Sequence, residues 1–244
     1  MATLTVFSAA GDGCVGLDAM TGAWTWASNR DGSNGTKTAD YTSTVPVIGG
    51  FGMGTYCDGN NRPMTSRTFL PFDTSALGSG ATISAGTINL VPDSHSRLNF
   101  SNYKNQITEG TQASTSQLVA ADYTAWNDVV WSDGIANDSL SDGSYNVFTL
   151  NATGYGAINK TGYSKYCVRI EWDVANSPPG TNAQNDRCGA NYRSSEYAGT
   201  SSDPYIEVTY TSSTIKTFNG VATASVKTVD GVAIASVKSW NGIT

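Results

Sequence analysis

Charge is in short supply. Lys and Arg number 14 and Asp and Glu 20, together 14% of the 244 residues, against roughly 25% in an average soluble domain. The balance is net −6 and the lysines come singly. No basic stripe is therefore available to neutralise nucleic-acid phosphates or to hold an anionic membrane surface. Histidine is nearly absent: His95 stands alone in the polar stretch from Asp93 to Arg97. No GxSxG, HExxH or P-loop pattern occurs, so nucleophilic, zinc-hydrolase and nucleotide chemistry lack their usual carriers. A Ser-His-Asp triad would have to draw on His95 from a loop without a nucleophile elbow. The Asp residues sit at no spacing diagnostic of paired-carboxylate glycoside hydrolysis. These gaps predict a protein that is not an enzyme.

Long apolar runs are also missing, and with no stretch of 18 apolar residues no membrane span is expected. The segment Met1 to Ser8 lacks the basic n-region and long apolar h-region of a secretory signal, which points to a processed chain or to a protein that does not use general export. Cysteine is sparse and scattered. Cys14, Cys57, Cys167 and Cys188 form no CxxC pair, which argues against a zinc ribbon or a thioredoxin-like motif, while one or two disulfides and buried free thiols both stay open.

What the chain has in abundance is small and turn-forming residues. Its 28 Ser, 30 Thr, 19 Asn and 26 Gly make 103 residues, types that weaken helices and favour caps and turns, so an all-helical fold is set aside. No segment sustains a 3.6-residue apolar period over three turns; strand-like alternation between turn signals fills most of the chain. Strands are predicted at Thr3 to Phe7, Thr65 to Phe72, Thr82 to Leu90, Tyr145 to Leu150, Lys165 to Trp172 and Tyr205 to Thr211. One or two helical turns are predicted between Ala152 and Lys160. Residues 1–211 are read as one all-β antiparallel domain and 212–244 as a separate tail.

The tail is repetitive. Thr214 to Ala224, Ser225 to Ala235 and Ser236 to Thr244 align at a period of eleven residues around Asn219-Gly220, Asp230-Gly231 and Asn241-Gly242. Asn-Gly and Asp-Gly suit the two-residue turn of a β-hairpin, which needs positive φ at both positions. Between turns lie nine residues, about 30 Å of strand. Val221, Thr223, Ser225, Lys227 and Val229 share one face; Ala222, Ala224, Val226 and Thr228 share the other. Such small faces bury little area, and a two- or three-stranded ribbon is marginal alone in water. The tail is therefore expected to assemble with other chains, through Ile215, Phe218, Val221, Val226, Val229, Val232, Val237 and Trp240.

In the body, Arg67-Thr-Phe-Leu-Pro-Phe-Asp73 is followed by Gly80-Ala-Thr-Ile83, and the far end closes with Ser194-Ser-Glu196 and Pro204-Tyr-Ile-Glu-Val-Thr-Tyr210. This order resembles the DNRLRE-type jelly-roll modules, which are similar to carbohydrate-binding modules. Tyr145 to Gly154, Ile158 to Arg169 and the terminal Asn-Gly-Val-Ala repeats resemble versions found in phage and bacterial surface proteins. The resemblance implies an antiparallel jelly-roll sandwich over residues 1–211, with the segment from Gly11 to Asn61 matching poorly. Pro71 is expected at an edge or bulge, since a central strand would lose a ladder donor there.

Candidate binding residues are few. Trp24 and Trp26, two apart, would project from one strand face and could stack on a sugar ring, although core packing is the commoner use of such a pair. Trp126, Trp131, Tyr192 and Tyr197 are weaker glycan candidates. Asp133, Asn137, Asp138 and Asp142 crowd one loop, and oxygen donors of this kind could hold a structural Ca²⁺, the one cofactor considered; ordinary turn formation explains the same residues. The expected function is that of a non-enzymatic structural protein on a phage virion surface, of capsid-decoration, head-fibre or tail-fibre type, with glycan adhesion as an added role. The alternative is a carbohydrate-binding module of a secreted bacterial enzyme or adhesin. Expected partners are further copies of the chain, with a trimer favoured, and a capsid or fibre protein held through the repeats.

Overall fold

The computed structural model describes residues 1–8, 11–20, 25–33, 35–40, 47–57, 63–178 and 186–212, and in the tail the pairs 217–218, 221–222, 228–229 and 232–233. Among these residues the strands are β1 (Ala2–Phe7), β2 (Gly13–Met20), β3 (Gly35–Asp40), β4 (Val47–Cys57), β5 (Pro63–Asp73), β6 (Thr82–Leu90), β7 (Pro92–Leu98), β8 (Lys104–Gly110), β9 (Trp126–Val130), β10 (Ile135–Ala136), β11 (Asn146–Thr149), β12 (Tyr163–Ile170), β13 (Arg187–Arg193), β14 (Tyr205–Thr211), β15 (Thr217–Phe218), β16 (Val221–Ala222), β17 (Thr228–Val229) and β18 (Val232–Ala233). Three short helices interrupt them, α1 (Trp26–Asp31), α2 (Ala152–Gly156) and α3 (Glu171–Val174).

The body is all-β and antiparallel. A four-stranded sheet runs β1-β14-β6-β11, and a larger one runs β10-β8-β12-β5-β4-β13-β7, with β2 also on β5, β3 on β2 and β9 on β8. Alternation along the strands supplies one apolar face to each sheet. Leu70 and Phe72 from β5, Ile107 from β8 and Tyr166 and Val168 from β12 meet Ile88, Leu90, Phe148, Ile206 and Val208 from the small sheet in one buried cluster. This is a sandwich core, in which full burial of each large apolar side chain contributes about 1.5–3 kcal/mol. Pro71 fits its expected setting. It pairs with Lys165 of β12 on one side, while on the other β2 has already ended opposite Phe69, and there the Pro71 carbonyl accepts a bond from Ser8 Oγ at 3.3 Å.

The larger sheet is covered on its second face as well. Val15, Leu17, Phe69 and Cys167 pack with Leu118 and Tyr123 from the segment leading into β9. That face also carries Arg67 and Arg169, both fully buried, one step beyond the paired residues Thr68 and Val168. Two adjacent guanidiniums would repel, and Asp173 lies between them. It accepts Nε of Arg67 at 2.7 Å, a second Arg67 nitrogen at 2.8 Å and Nε of Arg169 at 2.8 Å. Burial raises the pKa of this carboxyl, but the two guanidiniums outweigh burial and hold it well below the ordinary carboxylate range.

Placing a carboxylate four residues after Arg169 requires a helical turn, and this is where the expected strand from Lys165 to Trp172 is corrected. The chain leaves β12 at Ile170 and turns into α3. Trp172 therefore packs sideways, edge-on to Phe100 and Tyr103 at 4.8 and 4.4 Å.

Removing one partner from a buried ionic group leaves an uncompensated charge, at a cost of about 3–5 kcal/mol, whereas an exposed pair contributes about 0–1 kcal/mol. Asp173→Asn should accordingly lower unfolding stability by about 3–5 kcal/mol. Asp128→Asn removes a 47% exposed partner of Arg169 and should cost less than about 1 kcal/mol. Urea titrations of the two variants check both numbers.

Candidate functional site

The sequence candidates do not converge. Trp24 lies outside the described residues. Trp26 is not on a strand, and the shared strand face expected for the pair is corrected. The Thr25 hydroxyl accepts the Ser28 amide at 3.0 Å while Ser28 Oγ accepts the Thr25 amide at 3.0 Å. This reciprocal cap starts α1 at Trp26, and Gly32, with φ of 69°, ends it in the left-handed region. The Trp26 indole donates to Asn176 Oδ1 at 2.9 Å and packs against the cluster of Phe100, Ile170, Trp172 and Cys188.

The acidic loop is dispersed too. Asp138 faces Arg97, whose Nε reaches both carboxylate oxygens at 2.8 and 2.9 Å. Asp142 is held by His95 Nδ1 at 2.7 Å, Asn137 is buried and bonds the Ser96 carbonyl, and Asp133 is exposed. Among the described residues no group of three or more His, Cys, Asp or Glu is arranged to hold a metal ion. Cys167 and Cys188 are buried free thiols, pushed up to about 12 and about 11 by burial, inert rather than nucleophilic.

Of the other aromatics, Tyr192 is core, Tyr197 lies under the Arg193 guanidinium at 4.1 Å, and the Trp126 ring is surrounded by Arg169, Arg30 and Arg67 at 3.6, 4.5 and 4.8 Å. Trp131 is a core residue, 6% exposed, that also lines a cleft. A cleft of about 360 Å³ is lined by Glu109, Trp131, Asn159, Tyr163 and Lys165, among others. Tyr163 is 37% exposed, and Trp131 is braced edge-on by Tyr166 at 5.6 Å. Lys165 Nζ donates to the Gln112 carbonyl at 2.7 Å, and the Glu109 carboxylate takes the Asn127 amide. The buried Gln112 side-chain amide has no hydrogen-bond partner among the described residues. The cleft thus sets aromatic surface beside the Asn159 amide, the Lys165 ammonium and the Glu109 carboxylate.

A second feature is a row across the outer face of the small sheet. Phe7 pairs with Tyr205, Tyr205 with Asn89 and Asn89 with Val147. Phe7 and Val147 are 48% and 51% exposed. Tyr205 has Phe7 on one side at 5.6 Å and Tyr145 on the other at 4.9 Å.

Sequence reasoning also missed Asp12, which is 1% exposed. Its carboxylate accepts the Ser195 amide and hydroxyl at 2.9 and 3.0 Å. Burial, with Glu196 adding repulsion, pushes it up to about 7 against the lowering effect of those bonds. No sequence pattern marks it, because its partner lies 183 positions away. In the tail, Phe218 pairs with Val221 and Thr217 with Ala222, then Val229 with Val232 and Thr228 with Ala233. The second hairpin thus repeats the first at a spacing of eleven, 228 less 217. Ile215, Val226, Val237 and Trp240 lie outside the described residues.

No family model matches the chain, and no curated protein does.

The Asp12 shift carries a sign. A carboxyl with a raised folded-state pKa keeps its full contribution at pH below about 4 and loses it as pH rises through about 7. A rise from 3.8 to about 7 corresponds to a loss on the order of 4 kcal/mol. Asp12→Asn should remove this dependence, so that the variant exceeds the wild type at pH 8 and not at pH 4. Denaturation midpoints at the two pH values check it.

Proposed function

We propose that the chain is a non-catalytic structural protein of a virion surface, with the sandwich as its body and the eleven-residue repeats as its means of assembly. The observation that carries this reading is the pair of hairpins in the same register, β15 with β16 and β17 with β18. Isolated two-stranded ribbons bury too little to offset the entropy of ordering them, so a repeated array of them calls for contacts with other chains. Homo-oligomers, with a trimer the favoured form, and docking onto a capsid or fibre protein both supply such contacts. The jelly-roll resemblance to phage surface proteins and the low charge density of a water-facing shell support the same reading. Deleting residues 214–244 should leave a folded monomeric body, read by light scattering; a truncated body that assembles like the full chain would reject the assembly role.

A second reading, a carbohydrate-binding module, is favoured by the cleft beside Trp131 and Tyr163. Tyr163→Ala and Lys165→Ala alter its lining at an exposed and a half-buried position. Each should weaken binding on a glycan array by about tenfold or more, the equivalent of one lost contact of about 1.4 kcal/mol. Absence of binding by the wild-type protein would leave the structural reading alone.

A further inference from the structure

We infer that the outer edge of β1 is the acceptor for the repeat hairpins of a second copy of the chain, which add to the four-stranded sheet as further strands. This inference rests on the assembly reading above and names its partner and its place. β1 is the terminal strand of its sheet, paired only with β14 among the described residues. The Ser8 amide donates to the Pro204 carbonyl at 2.7 Å, so alternation turns the peptide groups of Val6, Leu4 and Ala2 toward β14. Those of Thr3, Thr5 and Phe7 then point away from β14, three N–H and three C=O groups without a strand partner among the described residues. All three residues are exposed.

Sheet edges are ordinarily guarded by charge, proline, bulges or brevity. The described outer strands of the larger sheet follow that rule, with Pro92, Asp93 and Arg97 on β7, Lys37 and Asp40 on β3, and two residues only in β10. β11, at the far edge of the small sheet, has four. β1, by contrast, is six residues of Ala-Thr-Leu-Thr-Val-Phe, uncharged and in unbroken register with β14.

Among the described residues both hairpins form two-stranded sheets separate from the small sheet, so their edges and that of β1 have no strand partner there. The tail leaves the small sheet directly, after Thr211 of β14, whose neighbour Tyr210 pairs with Ala2 at the start of β1. Charge agrees: residues 214–244 contain Lys216, Lys227 and Lys238 against Asp230, a net +2, which leaves −8 on the remainder of a chain of net −6. A positive tail therefore meets an acidic body, and each body offers both a donor tail and an acceptor edge, the requirement for a closed ring.

The test uses the full chain. Thr5→Pro removes an N–H that points outward while leaving the β14 side intact, a placement proline tolerates on an edge. Thr5→Lys supplies a guarding charge of the same sign as the tail. Light scattering against concentration should give subunit dissociation at least about tenfold easier in both variants, as expected for one or two lost main-chain bonds, with thermal unfolding of the body unchanged in Thr5→Lys. If both variants assemble as the wild type does while deletion of 214–244 abolishes assembly, the β1 edge is overturned and the assembly reading survives. A full-length chain that stays monomeric overturns both, including the case in which its own tail closes on β1.

Discussion

One carboxylate between two guanidiniums allows the larger sheet to be buried on both faces. Arg67 and Arg169 come from neighbouring strands and point the same way, out of the sandwich core, where an antiparallel sheet would ordinarily meet water. Asp173 supplies the opposite charge, and its carbonyl takes a further Arg169 nitrogen and Nε of Arg30 at 2.9 and 3.0 Å. With these donors engaged, the covering layer can close. Tyr123 lies 4.2 Å from the Arg67 guanidinium, its hydroxyl reaches the Asn29 carbonyl at 2.8 Å, and Trp126 completes the cage. The segment before β9, α1 and α3 thus share one ionic centre, and their positions follow from it.

That centre also explains why aromatic residues were poor guides to a binding surface. Trp126 is occupied by arginines, Trp172 by two aromatic edges, and Trp26 by a helix start and an asparagine. What remains accessible is modest: the cleft at the ends of β8 and β12, where Trp131 and Tyr163 meet polar side chains, and the row led by Phe7 and Tyr205 on the small sheet. Both surfaces belong to the body, while the repeats proposed for assembly lie outside it, so the two could vary separately in sequence.

Strand positions were legible wherever one face meets the core and the other meets water. Thr82 to Leu90 and Tyr205 to Thr211 match β6 and β14 end for end, and the helical turn expected from Ala152 is present as α2, capped by the Asn151 side chain at the Gly154 amide. Trp172 was misread because a β-branched and aromatic run suits a strand until an ion pair four residues long demands a turn. Trp26 was misread because the spacing of two tryptophans outweighed a Thr-x-x-Ser cap, whose serine serves in place of the usual Glu or Gln. Asp12, the reach of Arg67 to Asp173, 106 positions away, and the cleft depend on contacts between distant residues, and no local pattern carries them.

The odd number of residues between successive turns of the tail has a geometric consequence. Residues eight apart, as Val221 and Val229 are, share a side in any strand, and the hairpin pairings carry that side across to Phe218 and Val232. Inserting or deleting one eleven-residue unit reverses the direction of the chain without exchanging its faces. The tail is therefore a ruler whose length can drift by whole units while the chemistry it presents stays constant, a property that a ten- or twelve-residue period would not have.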